Sequence, residues 1–166
     1  MRAPALLALS GLVLAIAACA TVEPPPGGAA PGPAPLPLDG YDWLLTVHDE
    51  TAHLAYGVPE SDDLRLAFNC QQRSGRVGLV TLAGDGDEPV IFLESGGETE
   101  RFEADAEPSE LHEALILTAE TGTSEPVLQR FRRVGWIAQW RDGQRDAYAP
   151  HPGSLPYIED FFAFCG

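Results

Sequence analysis

Apolar and polar residues alternate along most of residues 41 to 120, and glycine-bearing turns interrupt the alternation at short, regular intervals. In Leu64-Arg65-Leu66-Ala67-Phe68-Asn69-Cys70, the side chains of Leu64, Leu66, Phe68 and Cys70 fall on one face of a strand, because residues two apart point the same way. The same period predicts strands near Tyr41 to His48, Ala52 to Val58, Leu64 to Cys70, Arg76 to Leu82, Val90 to Glu94, Thr99 to Ala104 and His112 to Ala119. Over the last of these, Leu111, Ala114, Leu115 and Thr118 also fit a helix with Ser109 as its N-cap, so strand and helix both stand open there. The turns Arg73-Ser74-Gly75, Gly84-Asp85-Gly86 and Ser95-Gly96-Gly97 supply the residues that hairpins need. Short strands at this spacing predict an antiparallel β-sandwich or barrel-like domain.

After residue 120 the period changes to that of a helix. Ser124 is placed to cap a segment with Glu125 and Pro126 in its first turn, Val127, Leu128, Phe131 and Val134 on one stripe, and Gly135 at its end. Arg130, Arg132 and Arg133 sit near its C-terminus, where the helix dipole favours cations. A hairpin follows, from Trp136 to Trp140, through the turn Arg141-Asp142-Gly143-Gln144, and back along Arg145 to Ala149. Leu155, Ile158, Phe161, Phe162 and Cys165 then recur at helical spacing in a closing helix. The fold class expected for residues 41 to 166 is a single β-rich α+β globular domain with two short helices near the C-terminus.

The chain of 166 residues is about one domain long, and its 45% hydrophobic content is enough for a core. Ten arginines and no lysine stand against 25 acids, a net charge of -15. That balance argues against a nucleic-acid partner, which needs a cationic face.

The N-terminal stretch has its own pattern. Arg2 leads into an apolar run from Ala3 to Ala18, interrupted by Ser10 and Gly11, which reads as a signal peptide over residues 1 to 18 rather than a spanning helix. Its end, Ile16-Ala17-Ala18-Cys19, resembles the lipobox of bacterial lipoproteins: an aliphatic residue, two small ones, and the cysteine that becomes residue one. The resemblance covers about 20 residues and implies a thioether-linked diacylglycerol and an N-acyl chain on Cys19. Such acylation exceeds the two signals needed for stable anchoring, so the membrane is an expected partner through the lipid. Ala20, where an Asp would suggest retention in the inner membrane, implies an outer-membrane lipoprotein facing the periplasm. Residues 19 to 40 then form the lipidated N-terminus and a Pro/Gly-rich tether, with seven prolines and four glycines. At ~3.1 Å per residue, polyproline chain of that length reaches ~60 Å from the membrane.

With Cys19 carrying lipid, Cys70 and Cys165 remain as an even pair in an oxidising compartment and are expected to form a disulfide. They lack the C-x-x-C spacing of redox or metal chemistry.

Candidate chemistry in the domain is sparse. His48, Asp49, Glu50 and His53 form the densest set of possible metal ligands, but without a helix their spacing fixes no geometry. Asp85, Asp87 and Glu88 lack the ladder and the distal Glu of a calcium loop. There is no Gly-x-Ser-x-Gly elbow, and Ser74 has no marked His partner. No metal, cofactor or catalytic residue is therefore assigned, and the expected role is not enzymatic.

Charge is segregated, however. Residues 84 to 125 hold 13 acids against Arg101 alone, whereas residues 130 to 145 hold five arginines against Asp142. Trp136, Trp140, Arg130, Arg133, Arg141 and Arg145 from this segment are the candidate partner-binding residues, since Arg and Trp are enriched where proteins grip partners. An envelope protein or an anionic envelope component is the partner they suggest. The alternative is that the arginines pair with the domain's own carboxylates and the tryptophans fill its core.

The reading that results is a non-catalytic lipoprotein that binds or scaffolds another envelope component. In size, charge sign and anchoring the chain also resembles small acidic β-rich lipoproteins that inhibit basic lysozymes, although it lacks their Ser-Gly-x-x-Tyr type of loop. An envelope hydrolase is the third possibility, with His48 and His53 the first residues to suspect.

Overall fold

A computed structural model describes residues 34 to 110 and 113 to 166. The signal peptide, Cys19 and most of the tether lie outside these residues, as do Leu111 and His112. Ten strands and two helices follow in the order β1 (Asp42–His48), β2 (Thr51–Gly57), β3 (Leu64–Gln71), β4 (Arg76–Ala83), β5 (Val90–Ser95), β6 (Glu98–Glu103), β7 (Asp105–Pro108), β8 (Leu115–Gly122), α1 (Pro126–Val134), β9 (Ile137–Arg141), β10 (Gln144–Tyr148) and α2 (Leu155–Cys165).

The strands form two antiparallel sheets, one of six in the order β1-β2-β3-β4-β8-β7 and one of four in the order β10-β9-β5-β6. The domain is thus β-rich α+β, with sandwich-like sheets and the two helices near the C-terminus. Residues 115 to 122 are a strand, paired with β4 along its whole length. The alternation there decides the matter: Leu117 turns inward against the core while Thr118 and Glu120 face water.

Inward residues of both sheets and both helices meet in one core. It holds Leu54, Leu66 and Leu79 from the large sheet, Ile91 and Leu93 from the small one, Phe131 from α1, and Phe161 and Phe162 from α2. Aromatic rings run through its centre, with Trp43 5.1 Å from Phe131 and 5.8 Å from Phe68, and Phe131 6.0 Å from Phe162. Burial of so many rings is a large share of the driving force for a chain this short.

α1 starts at Pro126 and ends at Gly135, whose φ of +80° lets its N–H bond back to the Phe131 carbonyl at 2.8 Å. The expected cap Ser124 is displaced: Glu125 occupies the cap position without a side-chain cap bond, and the Gln129 amide instead donates to the Thr123 carbonyl at 2.7 Å. α2 buries Ile158, Phe161, Phe162 and Cys165 as its spacing predicts, but Leu155 at its start is 49% exposed. The helix is fixed at both ends. At its start the Asp42 carboxylate accepts from the Ser154 hydroxyl and from the His151 N–H at 3.1 Å, and at its end Cys165 is bonded to Cys70. A bidentate ion pair from Arg132 to Glu159 joins α1 to α2.

Strand direction gives the domain two distinct ends. β1 begins and β2 ends where the chain enters, with the Leu38 N–H donating to the Tyr56 hydroxyl at 3.2 Å. The Cys70–Cys165 disulfide lies at the other end, its Cα atoms 5.7 Å apart, where the Gly75 N–H also bonds the Cys165 carbonyl.

Candidate functional site

The Trp and Arg residues of 130 to 145 are sorted by strand alternation into different environments. On β9, Ile137, Gln139 and Arg141 face the large sheet, while Ala138 and Trp140 face outward with Phe92 and Glu94 of β5. The outward side carries its own small apolar cluster of Trp136, Ala138 and Ala149. Trp136 is buried there at 6% exposure, and the Arg145 guanidinium lies 5.2 Å above its ring. Arg145 also forms a bidentate pair with Glu94, at 2.5 Å and 3.2 Å, and Trp140 Nε1 donates to the same carboxylate at 3.3 Å. Two of the expected partner-binding residues, Trp136 and Arg145, are therefore engaged by the domain itself.

Trp140 remains half-buried, stacked on Phe92 with the ring centres 6.3 Å apart. The pair walls a cleft of about 220 Å³ that also touches Val90, Arg101, Arg141 and the β9–β10 turn. That turn is tight because Asp142 and Gly143 take φ values of +48° and +72°. Arg130 and Arg133 are on α1, away from this cleft: Arg130 lies against Gly96 of the β5–β6 turn, and Arg133 is exposed.

Arg141 points the other way from Trp140, into a second, polar cleft of about 350 Å³ lined by Asp62, Asp63, Arg65, Asp146 and Tyr148. Beneath it are two nearly inaccessible polar residues at inward strand positions, Thr81 and Gln139, each 3% exposed. The Thr81 hydroxyl lies 2.9 Å from the Arg65 carbonyl oxygen and 3.0 Å from Gln139 Oε1, and it accepts from Arg141 at 3.3 Å. The Tyr148 hydroxyl is 3.5 Å from the same Gln139 oxygen. Burial pushes the Tyr148 phenol up to about 12, with the Asp146 charge adding to the rise, so it is a proton donor at neutral pH.

Arg65 reaches this cleft through a β-bulge. Tyr56 pairs with Leu66 and Gly57 with Leu64, which leaves Arg65 unmatched and re-aims it. Its guanidinium stacks 5.0 Å over the Tyr41 ring and donates to the Tyr41 hydroxyl at 2.5 Å, while that hydroxyl donates to Asp63. The hydrogen bond from Arg65 to Tyr41 raises the arginine pKa further.

None of Arg65, Thr81, Gln139 and Tyr148 is a sequence-level candidate. A signal exists for one of them, because Thr81 occupies a core position in an otherwise apolar inward row of β4, whereas Gln139 shares its row on β9 with Arg141. The bulge that aims Arg65 has no such signature.

His48 is exposed and 3.0 Å from its neighbour Asp49, and His53 is exposed on the outer face of β2. The strand register places His53 opposite Thr46 and His48 opposite Thr51. Among the described residues no three His, Cys, Asp or Glu side chains are placed to hold a metal ion, and no helix is long and apolar enough to cross a membrane. No protein-family model, curated protein or solved structure matches the chain.

Proposed function

We propose that the chain is a membrane-anchored lipoprotein of the bacterial envelope, facing the periplasm, whose disulfide-stapled domain works by binding another envelope component rather than by catalysis. The lipobox-like Ile16-Ala17-Ala18-Cys19 and the Pro/Gly-rich tether support the anchoring. The observation that carries the binding role is the half-buried Phe92–Trp140 pair walling a cleft beside Arg101. A stacked aromatic pair with an arginine at its flank offers both apolar area and directional donors to a partner.

The test is a pull-down of the intact lipidated protein from its own envelope, in parallel with Trp140→Ala. The expected result is a component retained by the wild type and lost by the variant, at unchanged thermal stability. Identical retention by both overturns the binding role of this face. Mass spectrometry of the mature N-terminus tests the anchor, and an unacylated terminus elsewhere than Cys19 overturns it.

A second reading, inhibition of a basic protein such as lysozyme, is favoured by the crowding of Asp62, Asp63 and Asp146 in one cleft and Asp87, Glu88 and Asp142 in the other. Opposite charge would speed capture of a cationic target. A lysozyme-protection assay in which the domain has no effect disposes of it.

A further inference from the structure

The polar cleft around Arg141 does not stand alone. Asp62, Leu64, Arg65 and Leu82 line both it and a neighbouring apolar groove of about 230 Å³ on the outer face of the large sheet. Ala67, Val80 and Ile116 form the rest of the groove's apolar lining that matters here. The outer face of an antiparallel sheet is ordinarily its polar side. Here the register instead sets apolar residues side by side on it, Leu44 against Ala55, Ala55 against Ala67, Ala67 against Val80, and Leu82 against Ile116.

The charges of the polar cleft select its ligand. Two guanidiniums and three carboxylates line it. Asp63 is engaged by Arg65 at 3.4 Å and by Tyr41, so that pair is internally satisfied. Arg141 pairs with no carboxylate among the described residues and donates instead to Thr81. Asp62 and Asp146 likewise join no ion pair there. A simple anion would meet a net negative cleft, and a simple cation would leave Arg141 unanswered. A zwitterion answers both, with its anionic group toward Arg141 and the protonated Tyr148 hydroxyl, and its ammonium toward Asp62 and Asp146.

From this juxtaposition we propose that the two cavities form one site for a zwitterionic phospholipid, taking the phosphoethanolamine headgroup in the polar cleft and an acyl chain along Leu64, Ala67, Val80, Leu82 and Ile116. The chain enters the domain at the same end, through Leu38 and Tyr41, and Tyr41 bonds directly to the cleft residues Asp63 and Arg65. The site is separate from the aromatic pair, since it uses neither Phe92 nor Trp140.

The experiment is calorimetric titration of the otherwise complete Cys19→Ser chain with dihexanoyl phosphatidylethanolamine below its micelle concentration. Dihexanoyl phosphatidylglycerol, which has the same chains without the ammonium, and glycerophosphoethanolamine, which has the headgroup without the chains, are titrated in parallel. Saturable binding is expected for the first, with the other two weaker by roughly tenfold or more, the loss that one charge-assisted hydrogen bond or a few buried methylenes represents. Arg141→Gln and the exposed Asp146→Asn should each weaken phosphatidylethanolamine binding to the same degree, and Val80→Glu should abolish it. Arg133→Gln, on α1, should leave it unchanged. Trp140→Ala should also leave it unchanged, which separates this site from the binding face described above. Absence of binding by the wild-type domain, equal affinity for the phosphatidylglycerol, or retention of affinity in Asp146→Asn and Val80→Glu overturns the proposal.

Discussion

On β10, beside two arginines and an aspartate, the Tyr148 side chain shows how a single residue can tie stability to pH. Burial disfavours its phenolate, and the pKa rises to about 12. A group whose folded pKa is raised stabilises fully below its ordinary pKa of about 10, and that contribution is lost as pH climbs through the folded value. The domain should therefore weaken between about pH 10 and 12, and Tyr148→Phe should flatten that part of the profile. Thermal melts followed by circular dichroism across this range are the check, and equal slopes for the two proteins would refute the assignment. Tyr148 itself was readable only as an apolar-period strand residue. The same limit applies to Thr81 and Gln139: a polar residue at an inward position says that something polar lies opposite it, but not which side chains converge there. Trp43 is a further case, since its indole N–H is fully buried and has no partner among the described residues.

Elements were more legible than residues, because periodicity is set by many positions at once. The strands from β1 to β6 and the closing hairpin lie within two residues of where alternation and turns put them. β7 was missed because Asp105-Ala106-Glu107-Pro108 is short, wholly exposed and without an apolar face, so only its pairing with β8 reveals it. The helices were visible in their buried stripes, and the stop of α1 in Gly135. That stop is open to a direct test. A Cβ at Gly135 would sit 2.5 Å from the Leu155 side chain, on a backbone at φ +80°. Gly135→Ala should cost about 1–3 kcal/mol, measurable as a fall in the urea midpoint with an unchanged slope. Little or no loss would show that the helix end relaxes into another conformation. The exposed ion pair between Arg132 and Glu159 should matter less. The hydrogen bond from Arg132 holds the Glu159 carboxyl below the usual carboxylate range. Its contribution is present above the ordinary Glu pKa of about 4.3 and lost as pH falls through the lowered value. Such surface pairs contribute about 1 kcal/mol or less, so Arg132→Ala should shift acid unfolding only slightly.

For the molecule as a whole, the covalent tie between β3 and the end of α2 is the largest single constraint. It joins cysteines 95 positions apart in the sequence. In the chain-entropy model a closed loop of that size contributes about 4–5 kcal/mol. Cys70→Ala/Cys165→Ala should accordingly lower the melting temperature by roughly 10–20 °C, while reduction of the wild type should match the double variant. A loss of only a degree or two would show that the loop is already held by its other contacts. This pairing was legible from cysteine number and inward-facing spacing. The charge pattern was legible only as a tally: it marked the arginines of 130 to 145 as a group, whereas strand alternation and helix position disperse them over opposite faces.

The crosslink has one more effect, on what damage can do. A single protease cut anywhere between residues 71 and 164 leaves two pieces still joined through sulfur. A nicked domain would run as one band without reductant and as two with it, and neither half could drift away from the other.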